Sequence, residues 1–268
     1  MNFPVIEMFH SIQGEGKYMG VPSFFVRVAG CNLRCVFKNS ICDTPYSSFN
    51  PEKTPYKDMG DVVAEFMRLR HEHPNTNHIV ITGGEPMLYQ SGILEFIDRI
   101  NYCTRNHFNG NNAPWTVTIE TNGTKDPSTL LTNFAKGDYG MWLLFSISPK
   151  LSSSVDKEGK YIPLEVAKKH DMERINPDIL KKYIQDYRND VQLKFVYSGK
   201  ECIDEIKGLL KELTGNVKLD KLVYLMPEGT TVEQMNTLGK ECVEQCIEQG
   251  WNFAPRLHIL IWGDKRGV

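Results

Sequence analysis

The sequence has no apolar run approaching the ~20 residues that cross a bilayer, so no membrane span is expected. Its opening, MNFPVIEMFHSIQGEG, lacks a basic stretch followed by an apolar one, and no export signal is read there. An excess of charge is missing too. Thirty-one basic and 33 acidic residues leave a formal net charge of −2, which offers no general attraction to nucleic acid or anionic lipid. A cytoplasmic protein without direct nucleic-acid or membrane partners is the expectation. Internal repeats and low-complexity tracts are absent. Cysteine is scarce and unevenly placed, at 31, 35, 42, 103, 202, 242 and 246. That odd number, in a long chain with no export signal, argues against a disulfide framework. Clustered thiols in a reducing compartment point instead to metal or redox chemistry.

What is present is a core-forming chain. Its 268 residues, 41% of them hydrophobic, suit one sizeable domain. Apolar, β-branched runs at 22–30, 77–84, 115–121, 142–149, 191–199, 221–227 and 255–263 read as strands. Helical spacing occupies 59–73, 90–107, 200–214 and 231–249 between them. The alternation predicts βαβ units and a mostly parallel sheet. Six or so such strands are too few for an eight-fold barrel. The expected fold is therefore α/β, an incomplete, open (β/α)6-like barrel. A single domain over 1–268 is expected, with a polar loop around 30–58 and an inserted loop around 151–175. Ligands of parallel α/β sheets sit beyond the C-terminal strand ends. GCNLRC, TGGEP, ETNG and SPK all fall at such ends, so they are expected to share one site.

The stretch GCNLRCVFKNSICDT packs Cys31, Cys35 and Cys42 into twelve residues. On spacing alone a structural zinc site competes: Cys31 and Cys35 would form one ligand pair, Cys42 a third ligand, and a remote His or Cys the fourth. Three unrelated buried thiols fit such crowding poorly. The third reading is an iron–sulfur cluster. Four-iron clusters normally take four thiolates, and three leave one iron open. An open position is what a catalytic metal needs, so the missing fourth cysteine can itself be the functional feature.

Cys31-x3-Cys35, a third nearby cysteine and a downstream GGEP resemble the radical S-adenosylmethionine superfamily. Within it, FHSIQGEGKYMGVPSFFVRVAGCNLRC, CDTPYS, ITGGEPML, IETNGT, SPK, LKFV, LMPEG and RLHILIWGDKRGV resemble the 7-carboxy-7-deazaguanine synthases, from residue 9 to residue 268. SIQGEG followed by GCNLRC would also suit a ribonucleotide-reductase activase, and the closing RLHILIWGDKRGV favours the synthases. One departure stands out. The superfamily pattern is C-x3-C-x2-C, whereas VFKNSI separates Cys35 from Cys42 here. A loop absorbs such an insertion cheaply, because closure costs only about 0.6 kcal/mol per doubling of length.

The resemblance implies a radical carbon–nitrogen lyase of queuosine and 7-deazaguanine biosynthesis. An open iron of a [4Fe–4S] cluster chelates S-adenosylmethionine, and one electron cleaves it to an adenosyl radical. The radical takes hydrogen from the carbon bearing the carboxylate of 6-carboxy-5,6,7,8-tetrahydropterin. The ring contracts to 7-carboxy-7-deazaguanine, ammonia leaves and the hydrogen is returned. Magnesium, an external electron donor such as flavodoxin or ferredoxin, and a homodimer are implied as well.

Residue roles follow from the same resemblance. Cys31, Cys35 and Cys42 hold the cluster, and Thr44, a hard oxygen donor, is a magnesium ligand. Gly83, Gly84 and Glu85 offer the backbone that meets the methionine moiety; the two glycines permit close approach. Ile41, Cys42, Asp43, Glu120 and Asn122 join the cofactor set, with Ser148, Pro149 and Lys150. Ile12, Gln13, Gly14, Glu15, Arg27, Thr82, His258 and Val268 form the substrate set. Arg27 lies in an otherwise apolar strand, and a guanidinium matches a carboxylate bidentately. The alternation of Leu257, Ile259 and Ile261 is expected to bring a last strand to the sheet and deliver the residues after it to the ligand rim. Cys242 and Cys246, one helical turn apart, read as buried apolar residues.

Overall fold

The computed structural model describes residues 3–38, 40–107, 115–130, 141–187, 191–214 and 219–268. Among the described residues ten strands run in chain order: β1 (Val5–Ile12), β2 (Pro22–Val28), β3 (Val36–Phe37), β4 (Ser40–Ile41), β5 (His78–Gly83), β6 (Thr116–Thr121), β7 (Trp142–Ile147), β8 (Val191–Tyr197), β9 (Val223–Pro227) and β10 (Asn252–Phe253). Eight form one sheet in the order β1-β2-β5-β6-β7-β8-β9-β10, and only β1 is antiparallel to its neighbour. The sheet stays open, so the incomplete barrel expected from the strand count is what the chain forms.

Strand periodicity sorts the residues. Phe24, Val26 and Val28, Ile79 and Ile81, Val117 and Ile119, and Leu193 and Phe195 all enter the main apolar core, beneath the covering helices. Their alternates face the barrel interior and are mostly polar: Ser23 and Arg27, His78 and Thr82, Thr118 and Glu120, Gln192 and Lys194, with Phe25, Val80 and Val196 the apolar exceptions. A buried chain closes the lower layer, in which the His78 ring links the Ser23 hydroxyl (2.7 Å) to that of Thr118 (2.8 Å). The covering helices are Met59–Glu72, Gln90–His107, Pro177–Tyr187, Glu201–Thr214 and Val232–Gln249. Asp58 caps the first by accepting from the Gly60 and Asp61 amides, and Thr231 caps the last by accepting from that of Gln234. Among the described residues no helix is long and apolar enough to cross a membrane.

Three readings of the sequence need correction. Residues 255–263 are not a strand: Leu257–Trp262 is a short helix. The apparent alternation misleads because only Ile259 is buried, while Leu260, Ile261 and Trp262 are exposed. The strand position beside β9 is already taken by Asn252–Phe253. Residues 151–175 are not all loop, since Leu164–Glu173 is a helix. Its buried face is only Ala167 and His170, and Leu164 and Met172 are exposed, so the apolar stripe that marks a helix is missing. Thirdly, β1 and the 177–187 helix went unread. Glu7, His10 and Ser11 interrupt the apolar pattern of β1, where Glu7 is paired with Arg27 directly across the ladder.

Candidate active site

One cavity of about 850 Å³ lies inside the barrel and opens beyond the strand ends. At one end stand Cys31, Cys35 and Cys42. Between Cys35 and Cys42, Val36–Phe37 and Ser40–Ile41 form the β3–β4 ladder, with Val36 opposite Ile41 and Phe37 opposite Ser40. The ladder's base closes with a hydrogen bond from the Cys42 amide to the Cys35 carbonyl (3.0 Å). The two cysteines therefore remain backbone neighbours, and Phe37, Lys38 and Ile41 from the stretch between them line the cavity. Burial pushes the Cys31 thiol up to about 11 and the Cys35 thiol to about 12; Lys150 opposes both shifts. Residues 151–175 buttress this loop. Val36 packs with Ile162 and Ala167, and the Arg34 amide donates to His170 Nδ1 (3.2 Å). Burial lowers His170 to about 4, which keeps that nitrogen an acceptor.

The neighbouring wall is backbone. A Cβ on Gly84 would fall on the Gly30 carbonyl, so only glycine lets the strands after β2 and β5 approach this closely. The Glu85 amide donates to that carbonyl (2.8 Å). Asn122, after β6, donates through Nδ2 to Asn32 of the cysteine loop (3.1 Å). Ser148 and Lys150, after β7, face the same space, with Lys150 Nζ donating to Ser148 Oγ (2.9 Å).

Ion pairs build the other end. Glu15, from the loop after β1, accepts from Lys194 of β8 and from Arg256 Nε (3.1 Å). Burial alone would raise the Glu15 pKa, but Lys194 and Arg256 hold the carboxyl far below its ordinary value. Arg256 also donates to Asp43 (2.6 Å) and to the Gly229 carbonyl (2.7 Å), joining this floor to the segment beside Cys42. Glu120 accepts from Thr82 (2.7 Å) and Gln13 (3.3 Å). The His258 ring lies against Gly14, where a Cβ would collide with it, and burial keeps the imidazole neutral by lowering its pKa. Glycine at 14 thus serves a close approach.

Residues 25–143 match the model of the radical SAM superfamily. The chain is 35% identical to 7-carboxy-7-deazaguanine synthase of Halobacterium salinarum, over 97% of this chain and 91% of that protein. It is 36% identical to the synthase of Rhodopirellula baltica, covering 98% and 88%, and 36% identical to that of Thermoplasma acidophilum, covering 98% and 99%. The chain belongs to the 7-carboxy-7-deazaguanine synthase family. The crystal structure of QueE from Escherichia coli superposes with a TM-score of 0.56 at 23% identity, over 96% of this chain and 94% of that one, and shows the shared fold.

A radical SAM family member works with a [4Fe–4S] cluster and S-adenosylmethionine, and the thiol end of the cavity fits them. Among the described residues no three His, Cys, Asp or Glu side chains converge on a single metal ion. Three thiols at one cavity end match a four-iron cluster that keeps one iron open.

Nearly all the residues expected from the sequence meet in this cavity: Ile12, Gln13, Gly14, Glu15, Arg27, Ile41, Asp43, Thr44, Thr82, Gly83, Glu120, Asn122, His258 and Val268 line it, with the cysteines, Gly84, Ser148 and Lys150. Glu85 and Pro149 do not. The Glu85 side chain is fully buried, its oxygens taken by Met87 N (3.0 Å), Thr121 Oγ1 (2.7 Å) and Asn122 N (2.7 Å). Its carboxylate braces two strand ends and does not face the cavity. Thr44 precedes the short helix Pro45–Ser48 without capping it through its side chain, which leaves the hydroxyl on the cavity wall, 3.5 Å from Cys42 Sγ. Sequence reasoning assigned no role to Lys194, Arg256, Asn32 or Glu7. The signal for Lys194 was there: with Gln192 it breaks an apolar strand at alternate, inward positions.

Proposed function

We propose that the chain is a 7-carboxy-7-deazaguanine synthase, converting 6-carboxy-5,6,7,8-tetrahydropterin to 7-carboxy-7-deazaguanine with release of ammonia. The observation that carries this reading is a single cavity with thiols at one end and a buried ionic floor at the other. When bound, the cluster and S-adenosylmethionine supply one-electron cleavage of the latter. Cys31, Cys35 and Cys42 hold the cluster, and the backbone at Gly83 and Gly84 with Asn122, Ser148 and Lys150 receives S-adenosylmethionine.

The tetrahydropterin lies on the floor between Gln13, Glu15, Thr82, Glu120 and His258, with Val268 on the wall. Arg27 takes its carboxylate. The Arg27 Nε is held by Glu7 at 2.5 Å, and its two terminal nitrogens have no hydrogen-bond partner among the described residues, so the forked edge that a carboxylate needs is open. Thr44 would supply a hard oxygen to magnesium, which would help neutralise that carboxylate. Glu15 stays ionised because Lys194 and Arg256 flank it, which gives the floor a fixed charge pattern. A flavodoxin or ferredoxin as electron donor, a homodimer, a cytoplasmic setting and one domain over 1–268, with its cluster loop around 30–58, complete the proposal.

The test is anaerobic incubation of reconstituted protein with the tetrahydropterin, S-adenosylmethionine, magnesium and a reductant, followed by mass spectrometry. The expected product is 7-carboxy-7-deazaguanine. Its absence from a protein that carries about four irons per chain would overturn the assignment, as would a colourless zinc protein.

A further inference from the structure

We propose that Glu7 is a positioning residue for substrate capture, aiming Arg27 into the cavity and clipping the 263–268 segment over its mouth through Arg266. The inference rests on the reading that Arg27 takes the substrate carboxylate.

Glu7 and Arg27 face each other across the β1–β2 ladder, and their side chains are only 15% and 14% exposed. One Glu7 oxygen accepts from Arg27 Nε (2.5 Å) and from the Tyr46 hydroxyl (3.3 Å). The other accepts from Arg266 Nε (2.6 Å). One carboxylate therefore holds two guanidiniums, and both stack on the Tyr46 ring, at 5.7 Å for Arg27 and 3.8 Å for Arg266. The terminal nitrogens of Arg266 fork onto Glu52 at 2.9 and 2.8 Å. Arg27, Tyr46 and Arg266 all line the cavity.

The geometry gives Glu7 a purpose that an ordinary surface ion pair lacks. A guanidinium is planar, and fixing its Nε fixes the direction of its two terminal nitrogens. Glu7 uses the Nε edge of Arg27 and leaves the forked end for a substrate carboxylate. Through its second oxygen the same group anchors the segment that carries Val268. The two arms differ in exposure. Arg266 and Glu52 are 40% and 46% exposed, so salt screens that arm more than the Glu7–Arg27 pair. Gln at position 7 cannot reproduce the arrangement, since an amide accepts on one atom and turns a donor toward the other guanidinium.

The experiment measures KM and kcat for the tetrahydropterin with anaerobically reconstituted holoenzyme at low and high salt. The parent is compared with Arg27→Gln, Glu7→Gln and Arg266→Gln, and iron content and thermal unfolding monitor the fold. Glu7→Gln is expected to raise KM roughly tenfold, with kcat changing much less. Arg266→Gln is expected to raise KM about threefold and to flatten the rise of KM with salt expected of the parent. A large KM effect of Arg27→Gln alongside parental values for Glu7→Gln and Arg266→Gln would overturn the proposal and leave the role of Arg27 standing. An Arg27→Gln protein with parental KM would overturn both. Should Glu7→Gln fail to fold, the surface variant Arg266→Gln decides: an unchanged KM and an unchanged salt slope refute the clip.

Discussion

At its cysteine end the cavity is made of backbone and thiols: the Gly30 and Gly84 approach, the Cys35–Cys42 hydrogen bond and the strand-end amides around Glu85. At its floor it is made of paired charges drawn from distant parts of the chain, with Glu15, Lys194 and Arg256 separated by 179 and 241 residues from the first. The contrast teaches where each kind of change is tolerated. Backbone walls fix shape and accept insertions that keep the strand ends in place. A buried ion network is unforgiving, because removing one partner leaves an uncompensated charge in a low dielectric.

The comparison breaks most completely at Cys42. Cys42→Ala should lose the cluster absorbance after anaerobic reconstitution and all turnover, whereas Cys103→Ala should keep both. An iron content in Cys42→Ala equal to the parent's would contradict the thiol assignment.

Lys194→Met should come next, with the two ends responding separately. The floor loses one of its two buried cations, kcat/KM for the tetrahydropterin falls roughly a hundredfold or more, and iron loading and uncoupled S-adenosylmethionine cleavage persist. The pH dependence carries a sign. In the parent the Glu15 carboxyl is held below its ordinary value, so its ionised form persists well into acid. Its stabilising contribution is present above the ordinary carboxylate range and is lost as pH falls through the depressed pKa. Without Lys194, Arg256 and His258 alone oppose burial and that pKa rises relative to the parent's, so substrate affinity of the variant should fall at a higher pH than the parent's. Matching KM–pH profiles would show that Lys194 does not set the charge of Glu15.

A smaller effect is expected at the junction of the two ends. Thr44→Ala should keep cluster and S-adenosylmethionine binding, with magnesium-stimulated turnover lowered roughly tenfold. A parental magnesium response would remove Thr44 from the metal. The smallest effect belongs to the cysteine loop itself. Deleting residues 37–40 removes one of the two residue pairs of the β3–β4 ladder and leaves Cys35 and Cys42 near each other. Iron loading should stay within about twofold of the parent, since loop length contributes little to closure. Loss of the cluster would show that the ladder does more than span the insertion.

These differences also explain what was legible in the sequence. The thiols, the GGEP turn and the strand ends are local patterns, so the cluster end and the open barrel could be read from neighbouring residues. The ladder between Cys35 and Cys42 had no such pattern, being two residues per strand. Arg256 and Lys194 escaped because their meaning lies in partners far along the chain. The 257–262 helix was misread because three apolar residues in alternation mimic a strand when burial is unknown; the structure buries one of them and leaves Ile261 more than half exposed. Glu85 sits in the GGEP motif that the resemblance assigns to the cofactor, and its side chain serves the fold, a distinction that needed its three donors to be seen.

The central claim is that both ends of one cavity serve a single reaction, so that hydrogen passes directly between substrate and S-adenosylmethionine without meeting solvent. Its most direct measurement uses tetrahydropterin deuterated at the carbon bearing the carboxylate, in ordinary water, with mass spectrometry of every product. The account predicts deuterium in the adenosyl group of recovered S-adenosylmethionine. Formation of the deazaguanine with all of the label released to water and none in S-adenosylmethionine would contradict it.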